Sequence, residues 1–326
     1  MRLLNAATIE VQEFLSDHEI PPYAILSHTW GEQECTLQDM IKPDVRYKAG
    51  YSKIQNCCQQ AIKDGLEWAW VDTCCIDKTS TAELSEAINS MFRYYRSAKK
   101  CYAFLSDAPS RDWLWLSRWF RRGWTLQELI APREVHFYSR NWILLGSKSE
   151  LVDEIHDITK ISKDVLRTGT LEIAHVATKM SWAANRQTSR VEDRAYSLMG
   201  IFGVYMPLLY GEGSNAFIRL QQEILRVSLD PSLFAWGLPN VIERIQRYDN
   251  YIMDMKERPQ GSFEGMLAKS PGQFKVTEHI NVLANLPHTT NAIFKGNGLS
   301  ITLPSCYNTN TGVCWAGISC SIRNRK

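Results

Sequence analysis

Glu128 is the residue of this chain best placed to do chemistry. It stands in Trp124-Thr125-Leu126-Gln127-Glu128-Leu129, in a stretch from about 117 to 130 that reads as a helix stopped by Pro132. At about 100° per residue, Trp119, Gly123, Leu126 and Ile130 gather on one side, which is expected to face a sheet. Arg121, Trp124 and Glu128 gather on the opposite side. A tryptophan, a guanidinium and a carboxylate on one outward face make a site wall. Trp124 would stack on a ring, Arg121 would hold a phosphate and Glu128 would act on the substrate. The same letters carry a second reading. Thr125 and Glu128 also fit the S/T-x-x-E capping box, in which Glu128 only closes the start of a helix.

Further candidates follow short apolar runs. Tyr23-Ala24-Ile25-Leu26 leads into Ser27-His28-Thr29-Trp30-Gly31, where a hydroxyl and backbone amides could cradle a phosphate or ribose. This is neither a GxGxxG nor a Walker pattern. His28 is either a hydrogen-bonded structural residue or part of the site. Trp68-Ala69-Trp70-Val71 leads into Asp72 and Asp77, either of which could accept from ribose hydroxyls, bind a metal or cap the next helix. Cys101-Tyr102-Ala103-Phe104-Leu105 ends in Ser106-Asp107. Since ligands of open parallel sheets bind beyond the carboxyl ends of strands, Ser27, His28, Trp30, Gly31, Asp72, Asp77, Arg121 and Trp124 are expected around one cleft with Glu128. A thiol nucleophile at Cys74 or Cys75 with His28 as its base can be drawn, but nothing in the sequence lowers a thiol pKa there. Glu192-Asp193-Arg194 reads as a structural ion-pair cluster at a helix start.

The elements that must position these groups alternate. Ile54, Cys57, Cys58, Ala61 and Ile62 form one apolar stripe over residues 52 to 65, with Ser52 and Gln55 as a capping box and Gly65 as the stop. Ser80 and Glu83 open a second helix lined by Leu84, Ala87, Ile88, Met91 and Tyr95. Val135-His136-Phe137-Tyr138 reads as a further strand. Strand, helix, strand, helix, strand, helix, strand predicts an α/β fold, a parallel sheet flanked by helices, over residues 1 to 145. Residues 146 to 235 read as a helical extension packed on it. Residues 236 to 326 read as small β elements (Leu299, Ile301 and Leu303 alternate), a region expected to be incomplete.

Composition narrows the partners. With 44% apolar and 22% charged residues the chain is ordinary globular material, and a net charge of +2 gives no case for nucleic acid or an anionic membrane surface. Nine cysteines, two pairs of them adjacent, lack CxxC or Cys/His spacing for zinc, so reduced buried thiols and no metal are expected. There is no apolar run near the roughly 20 residues of a membrane span and no signal-peptide core, which points to the cytoplasm.

The motifs together resemble the fungal heterokaryon incompatibility (HET) domain family. They are the Tyr23–Gly31 stretch, Trp70-Val71-Asp72-Thr73-Cys74-Cys75-Ile76-Asp77 and Arg122-Gly123-Trp124-Thr125-Leu126-Gln127-Glu128-Leu129-Ile130-Ala131-Pro132. The resemblance continues through Arg194-Ala195-Tyr196-Ser197-Leu198-Met199-Gly200-Ile201-Phe202 and Leu208-Leu209-Tyr210-Gly211-Glu212-Gly213. It covers residues 1 to 237 or so. It implies non-self recognition and programmed cell death after incompatible hyphae fuse, and a distant similarity to the TIR fold. Trp124-Thr125-Leu126-Gln127-Glu128-Leu129 is similar to the plant TIR pattern W-C-L-x-E-L, with Thr125 in place of the cysteine. In enzymatic TIR domains that glutamate carries NAD⁺ cleavage, so the resemblance implies a catalytic Glu128, NAD⁺ as substrate with no further cofactor, and self-association. A non-catalytic module acting by self-association is the alternative it equally allows.

Overall fold

The computed structural model describes residues 1–228, 230–237 and 266–275, and the backbone of six short strands between 280 and 322. The chain divides into two compact units. The first comprises Met1–Leu171, Arg186–Thr188 and Tyr196–Ile201. The second comprises Glu172–Asn185, Ser189–Ala195 and Phe202–Lys326.

Seven strands build the sheet of the first unit: β1 (Arg2–Asn5), β2 (Val11–Glu13), β3 (Tyr23–His28), β4 (Trp68–Trp70), β5 (Lys100–Phe104), β6 (Val135–Tyr138) and β7 (Leu144–Ser147). Their order is β2-β1-β4-β3-β5-β6-β7. The four strands expected from the apolar runs are the parallel centre, β4-β3-β5-β6. All six residues of β3 are buried, the signature of a strand covered on both faces. The margins are antiparallel, β1 against β4 and β7 against β6. Antiparallel neighbours need only short connections, so β2 and β7 join the sheet without a crossover helix.

Helices α1 (Leu37–Met40), α2 (Tyr51–Lys63), α3 (Asp72–Cys75), α4 (Thr81–Ser97), α5 (Thr125–Ile130), α6 (Val152–Thr159) and α7 (Lys163–Thr168) complete the unit. The stripe of α2 is buried at Ile54, Cys57, Cys58 and Ala61, whereas Ile62, expected in it, is exposed, and Gly65 ends the turn with φ +75°. Its predicted capping box does not form. The helix starts one residue early, after Gly50, and the Ser52 hydroxyl donates to the Ala49 carbonyl at 3.0 Å. In α4 the Ser80 hydroxyl accepts the Glu83 N–H at 3.3 Å, while the Glu83 carboxylate accepts from the Asp77 N–H at 2.8 Å.

The chain goes from β3 to β4 on one side, then crosses back over β3 to β5 on the other. β3 and β5 therefore flank the topological switch point, where ligands of doubly wound sheets bind. Just beyond their ends, the Thr29 and Ser106 hydroxyls meet at 3.2 Å.

In the second unit, helix α8 (Val176–Ala183) is capped by the Asp230 carboxylate, which accepts the Val176 N–H at 2.8 Å. Of two single-turn helices, α9 (Asp193–Tyr196) belongs mostly to the second unit and α10 (Met199–Phe202) mostly to the first, and α11 (Asn215–Val227) lies in the second. On α11 the buried Gln221 amide exchanges hydrogen bonds with the Ala268 backbone at 2.7 and 2.9 Å. Glu192 and Asp193, expected in an ion-pair cluster, also clamp a loop. Glu192 accepts the N–H groups of Gly211 and Gly213, and Asp193 accepts the Tyr210 hydroxyl. Three antiparallel pairs follow: Ala292–Lys295 with Gly298–Ile301, Ser305–Asn308 with Val313–Ala316, and Ile280–Val282 with Cys320–Ile322. Leu303 lies outside the described residues. Among the described residues no helix is long and apolar enough to cross a membrane.

Candidate functional site

The stretch from 117 to 130 is not one helix. A 3₁₀ turn covers Arg118–Arg121, Arg122 is extended (φ −80°, ψ 143°), and α5 starts only at Thr125. The break has a partner. The Gln187 N–H donates to the Arg121 carbonyl at 2.6 Å, and the Gly123 N–H donates to the Gln187 carbonyl at 2.8 Å. A Cβ on Gly123 would stand 2.5 Å from the Thr188 methyl, so the close approach of the two segments requires glycine.

The break corrects the single outward face. Trp124 has helical φ and ψ and keeps its i, i+4 relation to Glu128, but Arg121 lies beyond the extended residue and is exposed. Glu128 itself is 8% exposed, and all six residues of α5 are buried. The charge that acts on the site from this segment is that of Arg122, felt by both Glu128 and His28. The capping reading is also overturned. No side chain caps α5, and the Thr125 hydroxyl donates to the Trp119 and Arg122 carbonyls instead.

The Glu128 carboxyl is held by the strand, not by its own helix. The Ser27 hydroxyl, fully buried on β3, donates to Glu128 Oε2 and accepts the Trp119 indole N–H at 2.7 Å. Across from them the Tyr95 hydroxyl, on α4, donates to the Leu26 carbonyl at 3.2 Å and also lies against Glu128. Tyr95 has a single proton. Shared between the Leu26 carbonyl and Glu128, that proton favours the ionised form of the carboxyl. Burial pushes the Glu128 carboxyl up to about 7; the Ser27 hydrogen bond opposes the shift and the Asp72 charge adds to it. A carboxyl poised near neutrality in a site of this kind is a functional candidate.

A second cation reaches α5 from the Arg186–Thr188 segment. Arg186 Nη1 donates to the Arg122 carbonyl at 2.8 Å and the Thr125 hydroxyl at 3.0 Å. Burial lowers its pKa to about 9, and the Glu128 charge works against that fall. Arg186 was not legible in the sequence, because nothing near it in the chain marks an arginine that pairs with a backbone break some 60 residues earlier.

At the ends of β3 and β4 the other candidates form a polar group. His28 is 5% exposed, with Nε2 3.7 Å from Glu34 Oε2 and 3.9 Å from Asp72 Oδ1. Burial, aided by the charges of Lys53, Lys78 and Arg122, lowers its pKa to about 3, so the ring is neutral. Trp30 is 47% exposed, donates its indole N–H to Asp72 at 2.8 Å, and carries the Lys78 ammonium 3.6 Å over its ring. Gly31 donates its N–H to Glu34 at 2.5 Å. Glu34, missed in the sequence reading, is thus a member of this group.

Asp77 has a different task. It accepts from the Thr79 N–H and hydroxyl at 2.9 and 2.6 Å and from the Gln38 amide at 2.8 Å, holding the turn into α4. Cys74 and Cys75 are buried, and the Cys74 thiol is held well above its ordinary pKa by its contact with Cys75 and by burial. Burial and the raised Cys74 pKa work against a thiol nucleophile at Cys74. Two clefts of the first unit, about 290 and 420 Å³, lie elsewhere, beside Met1, Arg93 and Tyr94 in one case and Arg2, Glu83 and Trp70 in the other.

Residues 23–116 match the family described as heterokaryon incompatibility protein (HET), a stretch that holds Ser27, His28, Glu34 and Asp72 and ends before Glu128. Residues 215–314 match a domain of unknown function (DUF8212). Over 241 residues the chain is 48% identical to "Vegetative incompatibility protein HET-E-1" of Podospora anserina. The aligned part is 69% of this chain and 18% of that protein, so the chain spans less than a fifth of its relative's length. No solved structure matches the chain.

Proposed function

Because the chain belongs to the heterokaryon incompatibility (HET) family, we propose that it acts in vegetative incompatibility as a cytoplasmic cell-death effector whose α/β unit cleaves NAD⁺ at Glu128. One observation carries the reading. A buried carboxyl with a pKa near 7 is fixed at the carboxyl end of a central parallel strand, beside the switch point of the sheet.

The chemistry needs little else. The bond between nicotinamide N1 and ribose C1′ breaks, and its electron pair stays with nicotinamide, which leaves as a neutral molecule because it started cationic. Water then adds to C1′ and loses a proton, giving ADP-ribose. Between these steps the ribose carries oxocarbenium-like positive charge, which an ionised Glu128 stabilises. A desolvated carboxyl suits this task, since a cationic ligand beside it favours the ionised form in a medium of low dielectric. Trp124 would stack on a ring, and Arg122 takes over the phosphate role first given to Arg121.

A TIR-like scaffold acting by self-association is the second reading. It is favoured by the low exposure of Glu128. Incubating the chain with NAD⁺ over a wide dilution series, with nicotinamide and ADP-ribose measured, separates the two. Catalysis completed by a neighbouring copy gives nicotinamide release per molecule that rises with concentration. No release at any concentration, with assembly seen by light scattering, removes the catalytic reading.

A further inference from the structure

His28 is a buried polar side chain that the chemistry at Glu128 leaves unused. Its side chain is 1% exposed, and both ring nitrogens are without a hydrogen-bond partner among the described residues. A neutral imidazole presents one N–H donor and one lone pair, and buried groups of this kind are almost always satisfied by protein, water or ligand. Nε2 faces Glu34 Oε2 at 3.7 Å and Asp72 Oδ1 at 3.9 Å. Both distances exceed a direct hydrogen bond.

The two carboxylates are aimed. Glu34 is tied through Oε1 to the Gly31 N–H and the Lys53 ammonium, and Asp72 through Oδ2 to the Trp30 indole. Oε2 and Oδ1 are left turned to His28, with no hydrogen bond among the described residues. Gly50 allows the arrangement. A Cβ there would come within 2.6 Å of the Gln33 carbonyl and 2.9 Å of Glu34 Cα, so the start of α2 can lie this close to the Glu34 loop only as glycine.

We propose that His28, Glu34 and Asp72 form a vicinal-diol site that takes the 2′,3′-hydroxyls of a nucleotide ribose. Each hydroxyl donates to one carboxylate oxygen, and the His28 Nε2–H donates to a hydroxyl oxygen. A metal ion fits the surroundings poorly. Among the described residues no three His, Cys, Asp or Glu side chains are grouped to hold one, and Lys53, Lys78 and Arg122 bring positive charge to the ring. The same cations favour a ligand that carries phosphate. The proposal rests on the NAD⁺ reading only for the identity of the nucleotide, whose adenosine ribose would bring the diol.

Calorimetric titration of the full chain with ADP and with 2′,3′-dideoxy-ADP tests the site. ADP is expected to bind at least about tenfold more tightly, the effect of losing hydrogen bonds to charged groups. Asp72→Asn, which keeps an acceptor for Trp30, and Glu34→Gln are each expected to shrink that difference about tenfold. Equal affinity of the two nucleotides for the wild-type chain, or no binding of ADP, overturns the proposal without any variant. A preference that survives both carboxylate variants overturns it as well. Nicotinamide release from NAD⁺, measured on the same samples, keeps the two claims apart. A diol preference without release supports this site and counts against the NAD⁺ reading, and release without a diol preference does the reverse.

Discussion

The Ser27 hydroxyl donates its hydrogen to the Glu128 carboxyl across 101 positions of sequence. This bond ties the end of a buried strand to a six-residue helix, and the Trp119 indole behind Ser27 fixes the direction of the hydroxyl. Since Ser27 favours the ionised carboxyl, Ser27→Ala should move the Glu128 midpoint above about 7. It should also cost about 1–3 kcal/mol, because Trp119 loses its acceptor. Carbon-detected NMR titration of labelled glutamate reads the first effect and urea denaturation the second. An unchanged or lower midpoint would contradict the arrangement.

Glu128 and His28 pull stability in opposite directions with pH. Folding raises Glu128 from 4.5 to about 7, so between these values the folded chain keeps a proton that the unfolded chain has lost, and stability falls as pH rises. Folding lowers His28 from 6.5 to about 3, so the unfolded chain binds the extra proton and stability rises with pH over that window. The two slopes, each up to about 1.4 kcal/mol per pH unit, oppose each other where the windows overlap. Glu128→Gln should therefore expose a rise in stability from about pH 4.5 to 6.5, and His28→Gln a fall. Wild-type and variant curves that run parallel would contradict both assignments.

Gly123→Ala should be among the costlier glycine substitutions. The new methyl would meet Thr188 Cγ2 at 2.5 Å and Ser197 Oγ at 3.2 Å, and the backbone bonds to Gln187 resist a shift. Overpacking of this kind costs about 1–3 kcal/mol. Thermal melting gives the value, and a neutral substitution would mean the Arg186–Thr188 segment does not dock against the break.

Lys148 secures the other end of α5. Its buried ammonium donates to the Leu129 carbonyl at 3.2 Å and the Pro132 carbonyl at 2.5 Å, and burial lowers its pKa to about 8. Lys148→Met keeps most of the volume and leaves both carbonyls without that donor. A loss of about 1–3 kcal/mol in urea denaturation is expected. Unchanged stability would show that the two carbonyls find other partners.

Much of the first unit was legible where local pattern and tertiary demand agree. The four parallel strands, the stripes of α2 and α4 and the closeness of Glu128 to the Ser27 loop all follow from apolar periodicity and from polar residues at strand ends. The reading failed where a distant segment decides local structure. A continuous helix through 117–130 satisfied the periodicity, but pairing with Gln187 makes Arg122 extended and moves Arg121 out of register. Arg186 escaped notice for the same reason, as it takes its place through a contact far along the chain, and Glu34 is set both by the nearby Gly31 N–H and by Lys53 on α2. β1, β2 and β7 are three or four residues long, too short for alternation to show.

Nicotinamide release from NAD⁺ by the wild-type chain and by Glu128→Gln, measured side by side with their melting curves, tests the central claim most directly. The substitution keeps shape and removes the charge that would face the ribosyl cation. Release is predicted to fall about 10²–10³-fold with the fold intact. Equal release from both proteins, or none from the wild type, would contradict a catalytic Glu128.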